Sequence, residues 1–207
     1  MTTDSVVVDV SQDWAIACHL QERFMEVRCA KTQTLTYSAR CRQMRALGGD
    51  CFDFLPLPGH RVALIIADAS GKGLPAALII SNLQPSLRTA ASFAFDDVVA
   101  FVPVVNCQLQ DPRPRIVTAL FYGVFDEGMR TLEYVNAGHN PPIVIRRGDS
   151  ITWLEAGAPP AGVFADTVYK AVVQSNPADL IVAYTDGVVE AGNTEGEEWG
   201  VLASLPP

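Results

Sequence analysis

Three aspartates stand where an apolar run gives way to glycine, and this pattern restricts the chain more than any other feature in it. Asp50 closes Gly48-Gly49-Asp50. Asp68 follows Val62-Ala63-Leu64-Ile65-Ile66-Ala67 and leads into Ala69-Ser70-Gly71-Lys72-Gly73. Asp186 follows Leu180-Ile181-Val182-Ala183-Tyr184-Thr185 and precedes Gly187. A buried strand that stops at a carboxylate and turns on glycine delivers that carboxylate to one rim of a sheet. Three carboxylates at one rim would not all stay charged without a cation. An oxygen-only set of this kind suits a hard divalent ion, so Mg2+ or Mn2+ is the expected occupant.

Bulk properties narrow the class of molecule. At 207 residues the chain is long enough for one domain with a sizeable core. Hydrophobic residues make up 49% and charged residues 18%, the balance of a globular chain. A net charge of −8 argues against general binding to nucleic acid or to an anionic membrane. That charge is unevenly spread. Arg23, Arg28, Lys31, Arg40, Arg42 and Arg45 share their stretch with one acid, Glu26, whereas the segment from Asp186 to Glu198 holds five acids and no base. The basic stretch reads either as a solvated face or as a surface that docks a partner or attracts phosphate beside the site. Cys18, Cys29, Cys41, Cys51 and Cys107 form no C-x-x-C pair and read as reduced, mostly buried thiols, the usage of a cytoplasmic protein. No spacing among them and His19, His60 and His139 suits zinc. The N-terminus lacks the basic region of a signal peptide, and the longest apolar runs, such as Val98 to Val105, are far too short to span a membrane.

Periodicity outlines the elements. Val6-Val7-Val8 reads as a short strand and residues 12–27 as an amphipathic helix, with Trp14, Ile16, Ala17, Leu20, Phe24 and Val27 on its apolar face. Thr34 to Ala39 alternates as a strand. Residues 52–55 and 61–67 form two strands of a hairpin around Pro58-Gly59-His60. Leu74 to Ala91 turns helical, with Pro75 in the first turn where a helix tolerates it. Asp96-Asp97 open a second helical stretch to about Leu109, and Pro103 predicts a kink or break there. After Asp111-Pro112-Arg113-Pro114 come strands at 116–125, 131–136, 143–146, 151–154, 168–173 and 180–184, separated by turn signals. Strands, then two helices, then a meander of strands is an α+β order, not an alternating βαβ order.

Gly71-Lys72-Gly73-Leu74-Pro75-Ala76 matches the G-x-G-x-x-A pattern of a dinucleotide site, but no second βαβ unit accompanies it. A phosphate-cradling Walker loop fails too, because Gly73 stands where Ser or Thr must follow the lysine. A strand-to-helix turn explains the glycines without explaining the aspartate. Asp53 points to the opposite strand face from Asp50, which suits a supporting role. His139 lies in Gly138-His139-Asn140-Pro141-Pro142 between two strands, where closing the turn is a better use for it than acid catalysis.

Four segments carry a resemblance: residues 48–54 (Gly-Gly-Asp-Cys-Phe-Asp-Phe), 67–78 (Ala-Asp-Ala-Ser-Gly-Lys-Gly-Leu-Pro-Ala-Ala-Leu), 136–142 (Asn-Ala-Gly-His-Asn-Pro-Pro) and 180–191 (Leu-Ile-Val-Ala-Tyr-Thr-Asp-Gly-Val-Val-Glu-Ala). In this order, from about Gln21 to Gly200, the chain resembles the bacterial PP2C-type serine/threonine phosphatases, above all the SpoIIE/RsbU-like branch that acts in sigma-factor partner switching. The resemblance implies an α+β fold, a PP2C-like αββα β-sandwich flanked by helices, with a two-metal centre at one end of the sheets. It implies that Asp68 bridges two Mn2+ or Mg2+ ions, that the Ala69 carbonyl helps hold the second, that Asp50 serves the second directly or through water, and that Asp186 holds the first. Such a centre would lower the pKa of a bridging water and give a hydroxide for in-line attack on phosphorus, with no protein nucleophile. Lys72 and Arg45 are the candidates for drawing in the substrate phosphate. The implied substrate is a phosphorylated STAS-type anti-sigma-factor antagonist, and a homodimer is compatible with the resemblance. Residues 1–30 read as a lead-in segment and 31–207 as the phosphatase domain.

The chain departs from that pattern in two places. Gln43-Met44 and Ala46-Leu47 stand where relatives carry Pro-Ala and Glu-Val ahead of Gly-Gly-Asp. After Gly196-Glu197-Glu198-Trp199-Gly200 the sequence stops at Leu205-Pro206-Pro207, before the helix and last strand whose aspartate would complete the first metal site. The expectation is therefore a phosphatase with weakened first-site binding. The competing expectation is a non-catalytic regulatory module that binds a partner through the retained scaffold.

Overall fold

The computed structural model describes residues 10–26, 28–43, 45–93, 97–109, 117–148, 150–155, 157–162, 170–198 and 200. The strand expected at Val6–Val8, the 111–114 turn, Val27, Asp96, Ile116, residues 168–169 and the end after Gly200 lie outside them. The first helix, α1, runs Val10–Phe24, and a hairpin of β1 (Arg28–Lys31) and β2 (Thr36–Ala39) follows. The sequence pattern did not suggest β1, whose four residues carry no alternation of their own.

Next come β3 (Asp50–Leu57) and β4 (Arg61–Ala69), paired antiparallel around the expected turn. Gly59 and His60 hold φ values of 76° and 57°, the left-handed geometry that suits a tight hairpin. Pro56 is tolerated because β3 is an edge strand among the described residues, the place in a sheet that accepts proline. Helix α2 spans Leu74–Phe93 and continues through Pro85. Helix α3 spans Val98–Leu109, and Asp97 caps it, its Oδ1 accepting from the Val99 and Ala100 amides at 2.9 and 3.4 Å. The break expected at Pro103 is absent, because the helix continues to Leu109.

The remaining strands are β5 (Thr118–Asp126), β6 (Thr131–Ala137), β7 (Ile143–Ile145), β8 (Ile151–Trp153), β9 (Gly157–Ala158), β10 (Ala171–Gln174) and β11 (Leu180–Val182), and the four-residue α4 (Asp186–Val189) follows. A six-stranded sheet has the order β10-β6-β5-β4-β3, with β9 added beside β6, and a three-stranded sheet has the order β11-β7-β8.

Alternation along β5 builds two cores from one strand. Leu120, Tyr122 and Val124 face α2 and α3, where they meet Leu83, Leu87, Phe101 and Val102. Phe121 and Phe125 face the other way and pack with Leu132, Tyr134, Val144 and Leu154 between the two sheets. Tyr122 stacks on Phe101 with ring centroids 3.7 Å apart and planes within 10°. Each large side chain buried this way contributes about 1.5–3 kcal/mol. The result is the expected α+β sandwich with helices against the larger sheet.

The apolar face of α1 departs from expectation. Val10, Trp14, Ile16, Leu20 and Phe24 are 41–69% exposed, and the buried residue of that helix is Gln21.

Candidate active site

The β3–β4 register sets Asp50 directly opposite Asp68, and Asp68 in turn lies opposite Ala119 on β5. Strand directions bring the rest to the same end. The start of β5, the end of β6 and the end of β4 are neighbours in the sheet. The chain then crosses through residues 138–142 to the start of β7, which pairs with the end of β11. Thr185 and Asp186 therefore emerge on the same rim as Asp50 and Asp68. The Thr185 hydroxyl donates to Asp50 Oδ2 at 2.9 Å and joins the two sheets across the site.

Asp186 corrects one detail of the sequence reading. It does not end a strand at 184, because β11 stops at Val182 and Asp186 opens α4 behind an extended Thr185. The turn closes through Val188 N–H to the Thr185 carbonyl at 3.1 Å and Glu190 N–H to the Asp186 carbonyl at 2.8 Å.

The loop that leads into Asp50 is held from several directions. A side chain at Gly49 would place its Cβ 2.7 Å from the Ala69 carbonyl oxygen and 3.1 Å from the Ala76 Cβ, so only glycine permits this approach. Gln21 clamps the neighbouring peptide, its Nε2 donating to the Gly48 carbonyl at 2.8 Å and its Oε1 accepting from the Gly48 amide at 3.0 Å. Gln43 Nε2 donates to the Asp50 carbonyl at 3.2 Å. Sequence reasoning missed Gln21 and Thr185. The signal for Gln21 was a lone amide within the apolar stripe of α1, and for Thr185 a hydroxyl directly before Asp-Gly.

The electrostatics of the rim are those of crowded acids. Burial is the first cause that raises Asp50, opposed by its Thr185 bond and reinforced by the charge of Asp186. Asp68 is raised to about 7 by burial, then by the charges of Asp50 and Asp186, by its hydrogen bond with Asp50 and by Glu190. Their mutual hydrogen bond acts in opposite senses, lowering Asp50 and raising Asp68. Among the described residues, no group of three or more His, Cys, Asp or Glu side chains is gathered closely enough to enclose an ion. The preformed unit is the Asp50–Asp68 pair, with Asp186 acting on it at longer range. Crowded carboxylates raised by burial and by one another call for a positive charge between them, and an all-oxygen donor set of this charge fits a hard divalent ion. Asp50, Asp68 and Asp186 are the side chains that could hold one. The Ala69 carbonyl lies beside Gly49 at the same turn.

Other candidates fall to either side. Asp53 faces away from Asp50 as expected: it is 2% exposed and receives a two-point bond from Arg88 of α2, Nε to Oδ2 and Nη2 to Oδ1. His139 is 5% exposed; its Nδ1 bonds the Asn140 carbonyl at 2.9 Å, and its backbone amide donates to Asn136 Oδ1 at 2.8 Å, the turn role expected of it. Burial holds the imidazole below its ordinary pKa. Lys72 is exposed in the turn after Asp68. Arg45 is exposed as well, with Nη1 3.8 Å from where a Gly73 Cβ would stand. The thiols are not mostly buried as expected, since Cys29 and Cys107 are exposed, Cys18 and Cys41 half-buried and Cys51 buried. Burial and the Asp50 charge push Cys41 up to about 11 and burial pushes Cys51 higher still, which makes these two poor nucleophiles.

Comparison with known structures places this arrangement in the PP2C-type phosphatase fold. The SiaA PP2C domain of Pseudomonas aeruginosa matches with a TM-score of 0.75 at 15% identity, over 94% of this chain and 78% of that one. The chain belongs to the SpoIIE family: the family described as stage II sporulation protein E matches residues 58–205. Phosphoserine phosphatase RsbU of Bacillus subtilis is 23% identical over 197 residues, covering 94% of this chain and 58% of RsbU. Phosphoserine phosphatase RsbP of the same organism is 28% identical over 149 residues, covering 70% of this chain and 37% of RsbP. The chain spans 33% to 58% of the length of the curated relatives it matches.

Proposed function

We propose that this chain is a metal-dependent phosphatase domain that hydrolyses phosphoserine or phosphothreonine on a protein. The observation that carries the reading is Asp50 opposite Asp68 in strand register, at the rim to which Thr185 and Asp186 also come. Bound Mn2+ or Mg2+ would supply positive charge for the phosphoryl oxygens and a water of lowered pKa. The protein's part is to hold Asp50, Asp68 and Asp186 where that charge is needed, with the Ala69 carbonyl as a further donor. Thr185 orients the Asp50 carboxylate, and Gln21 and Gln43 fix the backbone that carries it. Lys72 and Arg45 stand on the turn side of the rim, where a phosphate dianion would approach. Family membership supports a protein substrate of partner switching, a phosphorylated STAS-type antagonist of an anti-sigma factor.

The test is hydrolysis of a phosphoserine peptide with Mn2+ or Mg2+ titrated into metal-stripped protein. Hydrolysis should depend on the ion and vanish in Asp68→Ala. Turnover that survives both chelation and Asp68→Ala overturns the reading. No turnover, together with tight binding of an unphosphorylated partner, would favour the regulatory-module alternative.

A further inference from the structure

Of the basic run from Arg23 to Arg45, only Arg45 has a part in the phosphate chemistry, and the structure shows where Arg40 and Arg42 lie beside it. The C-terminal half of α1 and residues 40–43 and 45–46 line a cleft of about 350 Å³ whose walls include Gln21, Met25, Arg40, Arg42, Gln43 and Arg45. Arg40, Arg42 and Arg45 are exposed, and none makes an ion pair with another described residue. Glu22 and Glu26 also line the cleft, leaving the guanidinium groups in excess by one charge.

The cleft shares a wall with the carboxylate rim. Gln21 and Gln43, on its surface, are the residues bonded to the Gly48 peptide and to the Asp50 carbonyl. Arg45 reaches over the turn that follows Asp68. Acids also lie near the rim: Glu190 is near enough to raise Asp68, and the exposed Glu195, Glu197 and Glu198 follow it along the chain. On a chain of net charge −8, an acidic partner is repelled on average, so a cleft with an excess of guanidinium groups is a favoured docking point for it.

We propose that this cleft receives acidic side chains flanking the phosphorylated residue of a protein substrate, with Arg40 and Arg42 facing those carboxylates. The proposal rests on the phosphatase reading for its substrate, and the cleft itself can be tested without turnover.

Three phosphoserine peptides that differ only in acidic, neutral or basic flanks are compared on the full chain with Mn2+ at low salt. The acidic peptide should exceed the neutral one by about fivefold in kcat/KM, mostly through KM, as two exposed ion pairs allow. The advantage should fade as salt rises. In the double variant Arg40→Glu, Arg42→Glu the preference should reverse, and hydrolysis of a small aryl phosphate should not change. Binding of the unphosphorylated acidic peptide to Asp68→Asn protein, followed by fluorescence anisotropy, isolates the cleft from catalysis. If nothing is hydrolysed but this binding is present and lost in the double variant, the phosphatase reading fails and the cleft stands. Equal rates for the three peptides, anisotropy unaffected by the double variant, or displacement of the peptide by an oligonucleotide of equal charge overturns the proposal.

Discussion

Asp50 and Asp68 reach the rim on two long strands paired along their whole length, whereas Asp186 arrives on a four-residue helix after a three-residue strand. The first two are positioned by ladder hydrogen bonds and by the core beneath β3 and β4. The third is positioned by local turn bonds and by the Thr185–Asp50 contact. The difference shows how one rim can combine a rigid half and an adjustable half. The rigid half carries the electrostatic strain, since Asp68 is the acid raised to about 7. The adjustable half supplies a further charge from outside the ladder.

That contrast can be broken at several points. Asp68→Ala removes the centre of the rigid half, and Mn2+ affinity by calorimetry should fall by more than about a hundredfold, beyond the range seen when only a supporting residue is lost. Asp186→Ala should cost less affinity; an equal loss would show that the two halves are not distinct. Gln21→Ala leaves the Gly48 amide and carbonyl without their partners and should lower unfolding free energy in urea by about 1–3 kcal/mol. Thr185→Val cuts the link between the halves and should weaken Mn2+ binding about tenfold with little change in stability, the effect of one charge-assisted bond of about 1.4 kcal/mol.

The smallest effect is expected far from the rim. Glu127 accepts from the Thr32 hydroxyl at 2.6 Å and from the Thr34 amide and hydroxyl at 3.0 and 2.9 Å, tying the β1–β2 hairpin to the end of β5. These bonds, Thr32 first, hold its pKa below the ordinary carboxylate value. A depressed pKa contributes stability above the unfolded value, and that contribution is lost as pH falls through the folded value. Glu127→Gln should therefore be slightly less stable than the parent at neutral pH, and thermal melts of the two should converge in acid. Mn2+ affinity should not change.

Much of the rigid half was legible in the sequence because it is written in runs. Val62 to Ala67 is apolar throughout, the Pro58-Gly59-His60 turn fixes where it reverses, and an aspartate ahead of a glycine turn marks its end. The adjustable half was less legible. Leu180 to Tyr184 looks like a single strand, yet the chain leaves the sheet after Val182, because β11 pairs only with the three residues of β7. Asp53 could be assigned from strand parity alone, but its partner Arg88 lies on a helix and no local pattern announces it. Gln21 was hidden for the opposite reason. The helix that carries it was found, but its apolar stripe suggested a buried face, and in the structure that stripe is open while the amide is covered.

The register of β3 and β4 also has a consequence for how the molecule forms. Asp50 and Asp68 belong to one hairpin, so a single short loop closure brings them together. Thr185 must return to Asp50 across 135 residues of chain, a contact that waits for the small sheet to dock. On these separations the acid pair should assemble early in refolding, and the adjoining Asp186 should join it when the sandwich closes. Tight cation capture would then mark the end of folding, not its start.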